Sequence, residues 1–181
     1  MKKILAFSGS NSSKSINEIL VRAAAEKISD HTVDVINLTD YPLPIYSIDI
    51  EESEGFPSEA KAFKSLLSEY DAFVIASPEH NGSMPAVFKN TIDWVSRLSN
   101  QDDPIFGGDK PVQLLSTSPG PTGGATNLQN LSNLIPWWGG KISGTFSLGS
   151  FYDNYVEGQL VETADNDLTK VMAEFQRSIV E

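Results

Sequence analysis

The chain has 181 residues, 40% of them hydrophobic and 20% charged, with no cysteine and a formal net charge of -11 at pH 7. That length suits one domain with a sizeable core, and the lack of cysteine excludes disulfides, thiolate catalysis, iron–sulfur clusters and thiolate zinc sites. An excess of 24 acidic over 13 basic residues argues against nucleic acid or an anionic membrane as partner, since both require a positive surface; a cytoplasmic protein is the simplest expectation.

Residues Lys3 to Phe7 read as a first strand. Their apolar segment is shorter than the roughly 7–15 residues of a signal peptide, and no run reaches the roughly 20 of a membrane helix. Ser8-Gly9-Ser10-Asn11-Ser12-Ser13-Lys14-Ser15 follows as a small-residue loop, and Ile16, Ile19, Leu20, Ala23 and Ile28 mark an amphipathic helix. Such a loop can cradle a phosphate, because small side chains leave backbone N–H groups open, hydroxyls add donors and the helix N-terminus favours an anion. The same string also serves as an ordinary turn and cap. Its spacing fits neither Gly-x-Gly-x-x-Gly nor the P-loop, so neither a Rossmann NAD site nor an ATPase is indicated.

Thr32 to Leu38 reads as the second strand. Tyr41 to Pro57 shows no periodicity and reads as a long loop, of a length that is usually functional or disordered. Ser58 is expected to cap a helix with Ala60, Phe63, Leu67 and Tyr70 on one face, and Ala72–Ala76 reads as a buried parallel strand. Ser77 to Ser83 is then a polar loop. Ser83 or Asn81 is expected to cap the next helix, with Pro85 in its first turn and Phe88, Ile92 and Val95 on its apolar face. Leu98 to Asp109 is a polar connection, Pro111–Thr117 a fourth strand, and Ser118 to Gly124 a second loop of little bulk. Ala125–Leu134 reads as a helix, Trp137-Trp138 as core or interface packing, Ile142–Leu148 as a fifth strand, and Leu168, Val171, Met172, Phe175 and Ile179 as a C-terminal helix. Five β/α units predict an α/β fold, a doubly wound five-stranded parallel sheet of order 2-1-3-4-5 with helices on both faces. The loops after strands one, three and four then share one edge, and those after one and three flank the crevice at the switch point.

Pro78-Glu79-His80-Asn81-Gly82-Ser83, with Pro85, Lys89-Asn90 and Asp93-Trp94 downstream, resembles the NAD(P)H-dependent FMN reductases, the flavodoxin-like quinone, azo-dye and chromate reductases. In that family the motif reads Pro-Glu-Tyr-Asn-Gly/Tyr-Ser, then Pro, Lys-Asn and Asp-Trp, so His80 replaces a tyrosine. The resemblance continues in Gly9 to Asn17, where members read Gly-Ser-x-Arg-x-x-Ser-x-Asn and Ser12 stands in place of Arg, and in Ser118-Pro119-Gly120 with Gly123-Gly124. Arg binds phosphate as a fork and Lys as a point charge, so the exchange is not neutral: it leaves either a weakened hold on FMN or Lys14 supplying the charge from another direction.

The resemblance implies one flavodoxin-like domain over residues 1–181 that holds FMN non-covalently. The phosphate would lie against Ser10, Ser12, Ser15, Ile16 and Asn17. The ring would lie between Pro78, Glu79, His80, Asn81 and Gly82 on one side and Ser118, Pro119 and Gly120 on the other. NADPH or NADH would be the co-substrate in a ping-pong hydride transfer to a small-molecule acceptor: a quinone, an azo compound, free flavin or a metal oxyanion. The flavin carries the chemistry, so no catalytic acid or base is required, and His80 is expected as a ring neighbour. No metal is expected, since the two histidines, His31 and His80, lie far apart in sequence. The family further implies a homodimer or homotetramer, with Tyr41–Phe56 near the flavin and the partner. Two alternatives remain: a flavodoxin-like electron carrier without its own substrate site, and a member with weakened flavin binding.

Overall fold

The computed structural model describes residues 1–180. Strands β1 (Lys3–Ser8), β2 (Thr32–Asn37), β3 (Ala72–Ala76), β4 (Lys110–Thr117) and β5 (Gly140–Leu148) form a parallel sheet of order β2-β1-β3-β4-β5, as the sequence pattern predicts. In β3 all five residues are buried, and in β1 all but the first. A strand covered on both faces takes such a continuous apolar run, whereas edge strand β2 alternates apolar with polar residues.

Helices α1 (Ile16–Glu26), α3 (Ser58–Ser68), α4 (Ala86–Arg97), α5 (Ala125–Leu134) and α7 (Glu162–Val180) cover the sheet. Alternation along the central strands sorts the core into two halves. Leu5, Phe7, Phe73 and Ile75 pack with Phe63, Leu67, Phe88, Ile92 and Leu128 of α3, α4 and α5. Ile4, Ala6 and Val74 pack with Leu20, Val21, Leu168, Met172 and Phe175 of α1 and α7. The two halves are therefore separated by the sheet, and the parallel register brings Ser8, Ala76 and Leu115 level at one edge.

Several local expectations need correction. Neither Ser83 nor Asn81 caps α4, and Pro85 is its N-cap rather than part of its first turn. Ser83 lies two residues before that cap, its backbone paired with His80 across the preceding turn. Ser58 lies inside α3, whose N-cap is Pro57, so its hydroxyl turns to Glu59 Oε2 at 2.8 Å. The Tyr41–Pro57 segment is not all loop. It contains α2 (Ile48–Glu54), capped by Ser47 Oγ, which accepts from Asp49 N–H, and ended by Gly55 at φ 78°. None of the α2 residues is buried, so it has no apolar stripe for a pattern to detect. After β5 come a short helix α6 (Phe151–Asn154) and a hairpin of β6 (Tyr155–Val156) and β7 (Gln159–Leu160), which the sequence reading did not anticipate. No described helix is long and apolar enough to cross a membrane.

Candidate active-site cleft

The level strand ends carry backbone pairing a step beyond the sheet: Gly9 N–H donates to Ala76 O and Ser77 N–H to Leu115 O, both at 2.9 Å. From there the β1 loop curls on its own hydroxyls. Ser10 Oγ accepts Ser12 N–H at 3.1 Å, Ser12 Oγ accepts Lys14 N–H at 3.2 Å, and Ser15 Oγ caps α1 by accepting Glu18 N–H at 3.3 Å. Each hydroxyl is used as an acceptor, so its own hydrogen remains to donate. The N–H groups of Ile16 and Asn17, in the first turn of α1, have no partner among the described residues. Lys14 is exposed and forms no ion pair among them. Free hydroxyl hydrogens, open N–H groups and one cation fit a phosphate dianion.

Asn17 itself is placed differently from a ligand-facing residue. It is 1% exposed, its Nδ2 donates to Thr117 O at 2.9 Å, and its Oδ1 accepts Thr117 N–H at 3.0 Å. The side chain ties α1 to the end of β4, and only its backbone N–H is left for an anion.

The loop after β3 ends in a two-residue turn, with Asn81 at φ 53° and Gly82 at φ 78°. His80 and Ser83 pair across it, N–H to O at 2.8 Å in one direction and 3.1 Å in the other. Asn-Gly is the pair that such a turn demands. Helix α5 holds this loop from the side. Asn127 N–H donates to Glu79 Oε2 at 3.0 Å, Asn127 Nδ2 donates to Pro78 O at 2.9 Å, and Asn130 Nδ2 donates to Gly82 O at 2.8 Å. Glu79 thus does the work of an N-cap, because Gly124, which precedes α5, has no side chain to do so. Gly124 cannot be otherwise: its φ is 77°, and a Cβ there would collide with Ser116 Oγ. Asn127 and Asn130 were absent from the predicted site. Two asparagines three apart in a helix, where asparagine is a poor former, were the available signal.

The loop after β4 is fastened to the chain beyond β5, where Phe151 N–H donates to Ser118 O at 3.0 Å and Ser150 N–H to Gly120 O at 2.8 Å. Between these loops lies a cleft of about 280 Å³. Ser10, Ser12, Lys14, Ser15, Ile16 and Asn17 form one wall, Pro78, Glu79 and His80 a second, and Thr117, Ser118 and Pro119 a third, with Tyr152 beside them. Of the predicted binding residues, only Asn81, Gly82 and Gly120 lie outside this lining.

Other hollows are as large, one of about 460 Å³ beside the exposed Trp137 and one of about 310 Å³ against the β6–β7 hairpin. Neither gathers the carboxyl ends of the central strands, which is where open α/β sheets bind ligands. A further cavity of about 300 Å³ lies across Asn11, walled by Leu38, Tyr41, Pro42, Leu43 and Val87.

Its wall is set by α4. Asn90 Oδ1 accepts Tyr46 N–H at 2.8 Å, Asn90 Nδ2 donates to Pro44 O at 2.9 Å, and Trp94 Nε1 donates to the same carbonyl at 2.8 Å. Arg97 forks onto Glu51 at 2.9 and 3.1 Å, and the guanidinium holds that carboxyl below the usual range. Asn90, Trp94 and Arg97 are spaced to share a face of α4. Asn90 and Trp94 therefore fasten the Tyr41–Pro57 segment, whereas Lys89 and Asp93 bridge each other along α4 at 2.6 Å.

A family model described as NADPH-dependent FMN reductase matches residues 2–153. Curated relatives include the "Quinone reductase" of Escherichia coli K12, 31% identical over 165 residues, covering 90% of this chain and 85% of that protein. The "2-hydroxy-1,4-benzoquinone reductase" of a Burkholderia species is 39% identical over 136 residues, 75% of this chain and 70% of that protein. Among solved structures, the flavoenzyme NAD(P)H:(acceptor) oxidoreductase FerB of Paracoccus denitrificans superposes with a TM-score of 0.79 at 24% identity, covering 99% of this chain and 98% of FerB, a likeness of fold.

Proposed function

From the premise that this chain belongs to the NADPH-dependent FMN reductase family, we propose that the cleft between the β1, β3 and β4 loops is its FMN site and that a quinone or similar small molecule is the acceptor. When bound there, FMN would supply the redox chemistry, hydride transfer between NAD(P)H and the acceptor. The observation that carries the reading is the convergence of hydroxyls, open α1 N–H groups and Lys14 in a cleft whose other walls come from the ends of β3 and β4 and the loops after them.

In this reading Ser10, Ser12 and Ser15 donate to the phosphate together with the Ile16 and Asn17 N–H groups. Pro78 to Gly82 and Ser118 to Gly120 shape the slot for the ring, and open backbone there lets a flat molecule approach closely. His80, exposed at the rim, packs beside the ring in place of tyrosine. The acceptor follows the nicotinamide at the same open face, a ping-pong order. Residues 1–181 act as one cytoplasmic domain that assembles into a homodimer or homotetramer. The exposure of Ile45 and Ile48, 83% and 47%, on the segment fastened to α4 supports that assembly.

The test is direct. Protein saturated with FMN and desalted should retain the yellow chromophore, bleach anaerobically with NADPH or NADH, and recover its colour when a benzoquinone is added. A protein that stays colourless defeats the assignment of the cleft. One that holds FMN but is not bleached by either nicotinamide is an electron carrier instead.

A further inference from the structure

A fourth strand end reaches the cleft, and its contribution belongs to none of the motifs above. After β5 the chain turns through Ser150 at φ 47°, buries Phe151, and presents Tyr152 in the lining of the same cleft as Ser12, Lys14, Ser15 and Pro119. The backbone there is firmly held. Phe151 N–H donates to Ser118 O, and Asn154 Nδ2 closes the turn on Gly149 O at 3.0 Å. The side chain is not held in this way: Tyr152 is 66% exposed, it meets the Phe151 ring edge-on at 5.5 Å, and its hydroxyl has no hydrogen-bond partner among the described residues.

A fixed backbone carrying an uncommitted phenol is a poor core element and a good ligand contact. Tyrosine brings a flat surface and one donor at little entropic cost. The charge balance of the cleft shows what that donor suits. Lys14 is its one cation, and its one carboxylate, Glu79, is engaged with α5.

Resting on the flavin reading above, we propose that Tyr152 is a phosphate-recognition residue, its hydroxyl donating to the phosphate monoester seated at the α1 N-terminus and closing the cleft from the β5 side. Tyr152 and Lys14 together supply what a forked guanidinium at position 12 would supply alone. The residue therefore distinguishes FMN from riboflavin, which is identical except for the phosphate.

Quenching of flavin fluorescence, titrated with FMN and separately with riboflavin, tests this in the full chain and in Tyr152→Phe and Tyr152→Ala. Tyr152→Phe should weaken FMN about tenfold, the loss of one hydrogen bond to a charged group, and leave riboflavin unchanged. Tyr152→Ala should add no further loss specific to FMN. Equal weakening of both flavins would make Tyr152 a ring contact, and no change in either would make it a bystander; both outcomes overturn the proposal. If the unmodified protein binds neither flavin, the cleft assignment itself falls, before any variant is compared.

Discussion

Asn127 holds Glu79 and its neighbour as a double donor: the carboxylate of Glu79 accepts the Asn127 backbone N–H at 3.0 Å, and the Asn127 carboxamide donates to Pro78 O at 2.9 Å. Asn127→Ala removes the donors to Ser77 and Pro78, whose carbonyls keep only their bonds from Ser116 Oγ and Ser77 Oγ. It should cost about 2–3 kcal/mol, read from the urea midpoint. Glu79→Ala removes a cap at the partly exposed end of α5 and should cost about 1 kcal/mol.

Asn17 offers a sharper test because its two ends are chemically distinct. Asn17→Asp keeps the acceptor for Thr117 N–H but sets a second oxygen against Thr117 O. It should be less stable than Asn17→Ala near neutral pH and should recover as acid protonates the buried carboxyl. Asn17→Ala should cost about 2 kcal/mol at any pH. Denaturant titrations at neutral and acidic pH separate the two variants.

Asn90→Ala should release the Pro44–Tyr46 segment without unfolding the sheet. Two hydrogen bonds are lost, about 1–2 kcal/mol locally, and the effect should appear as faster proteolysis and hydrogen exchange within 42–56. Core amides of β3 should remain as protected as in the unmodified chain.

Asp71 carries a pH dependence whose sign follows from its partners. Lys3 N–H at 2.9 Å, and then Lys2 Nζ at 3.3 Å, hold its carboxyl below the ordinary aspartate range. A lowered carboxyl stabilises the fold above its unfolded value and ceases to do so as the pH falls through its folded value. Asp71→Asn should be less stable at pH 7 by under about 1 kcal/mol, because the site is partly exposed and screened. That difference should shrink along the acid limb of a urea-midpoint profile.

The central strands were legible because burial on both faces leaves an unbroken apolar run, as in Ala72–Ala76, and the five helices that face the sheet carry a stripe of apolar residues. Helix α2 was not legible, since caps and the Arg97–Glu51 fork hold it rather than burial. The cleft's lining was legible where function rests on loop composition, as in Ser10–Ser15 and Pro78–His80. Asn127 and Asn130 were not, because their partners lie 48 or more residues away, and Tyr152 was not, because only the folded sheet edge brings it to the cleft. Asn17 was read as a phosphate contact; in the fold its side chain serves the scaffold through Thr117.

Each side of the rim is braced to a neighbouring element of the fold. The β1 side reaches β4 through Asn17, the β3 loop reaches α5 through Glu79 and Asn127, and the β4 loop reaches the β5 turn through Ser118 and Gly120. A rim stapled in this way is not modular. Exchanging one loop for a relative's should misalign its neighbours, so substitutions on adjacent loops should combine non-additively. Transplants that alter acceptor range should succeed only when adjoining loops move as a set.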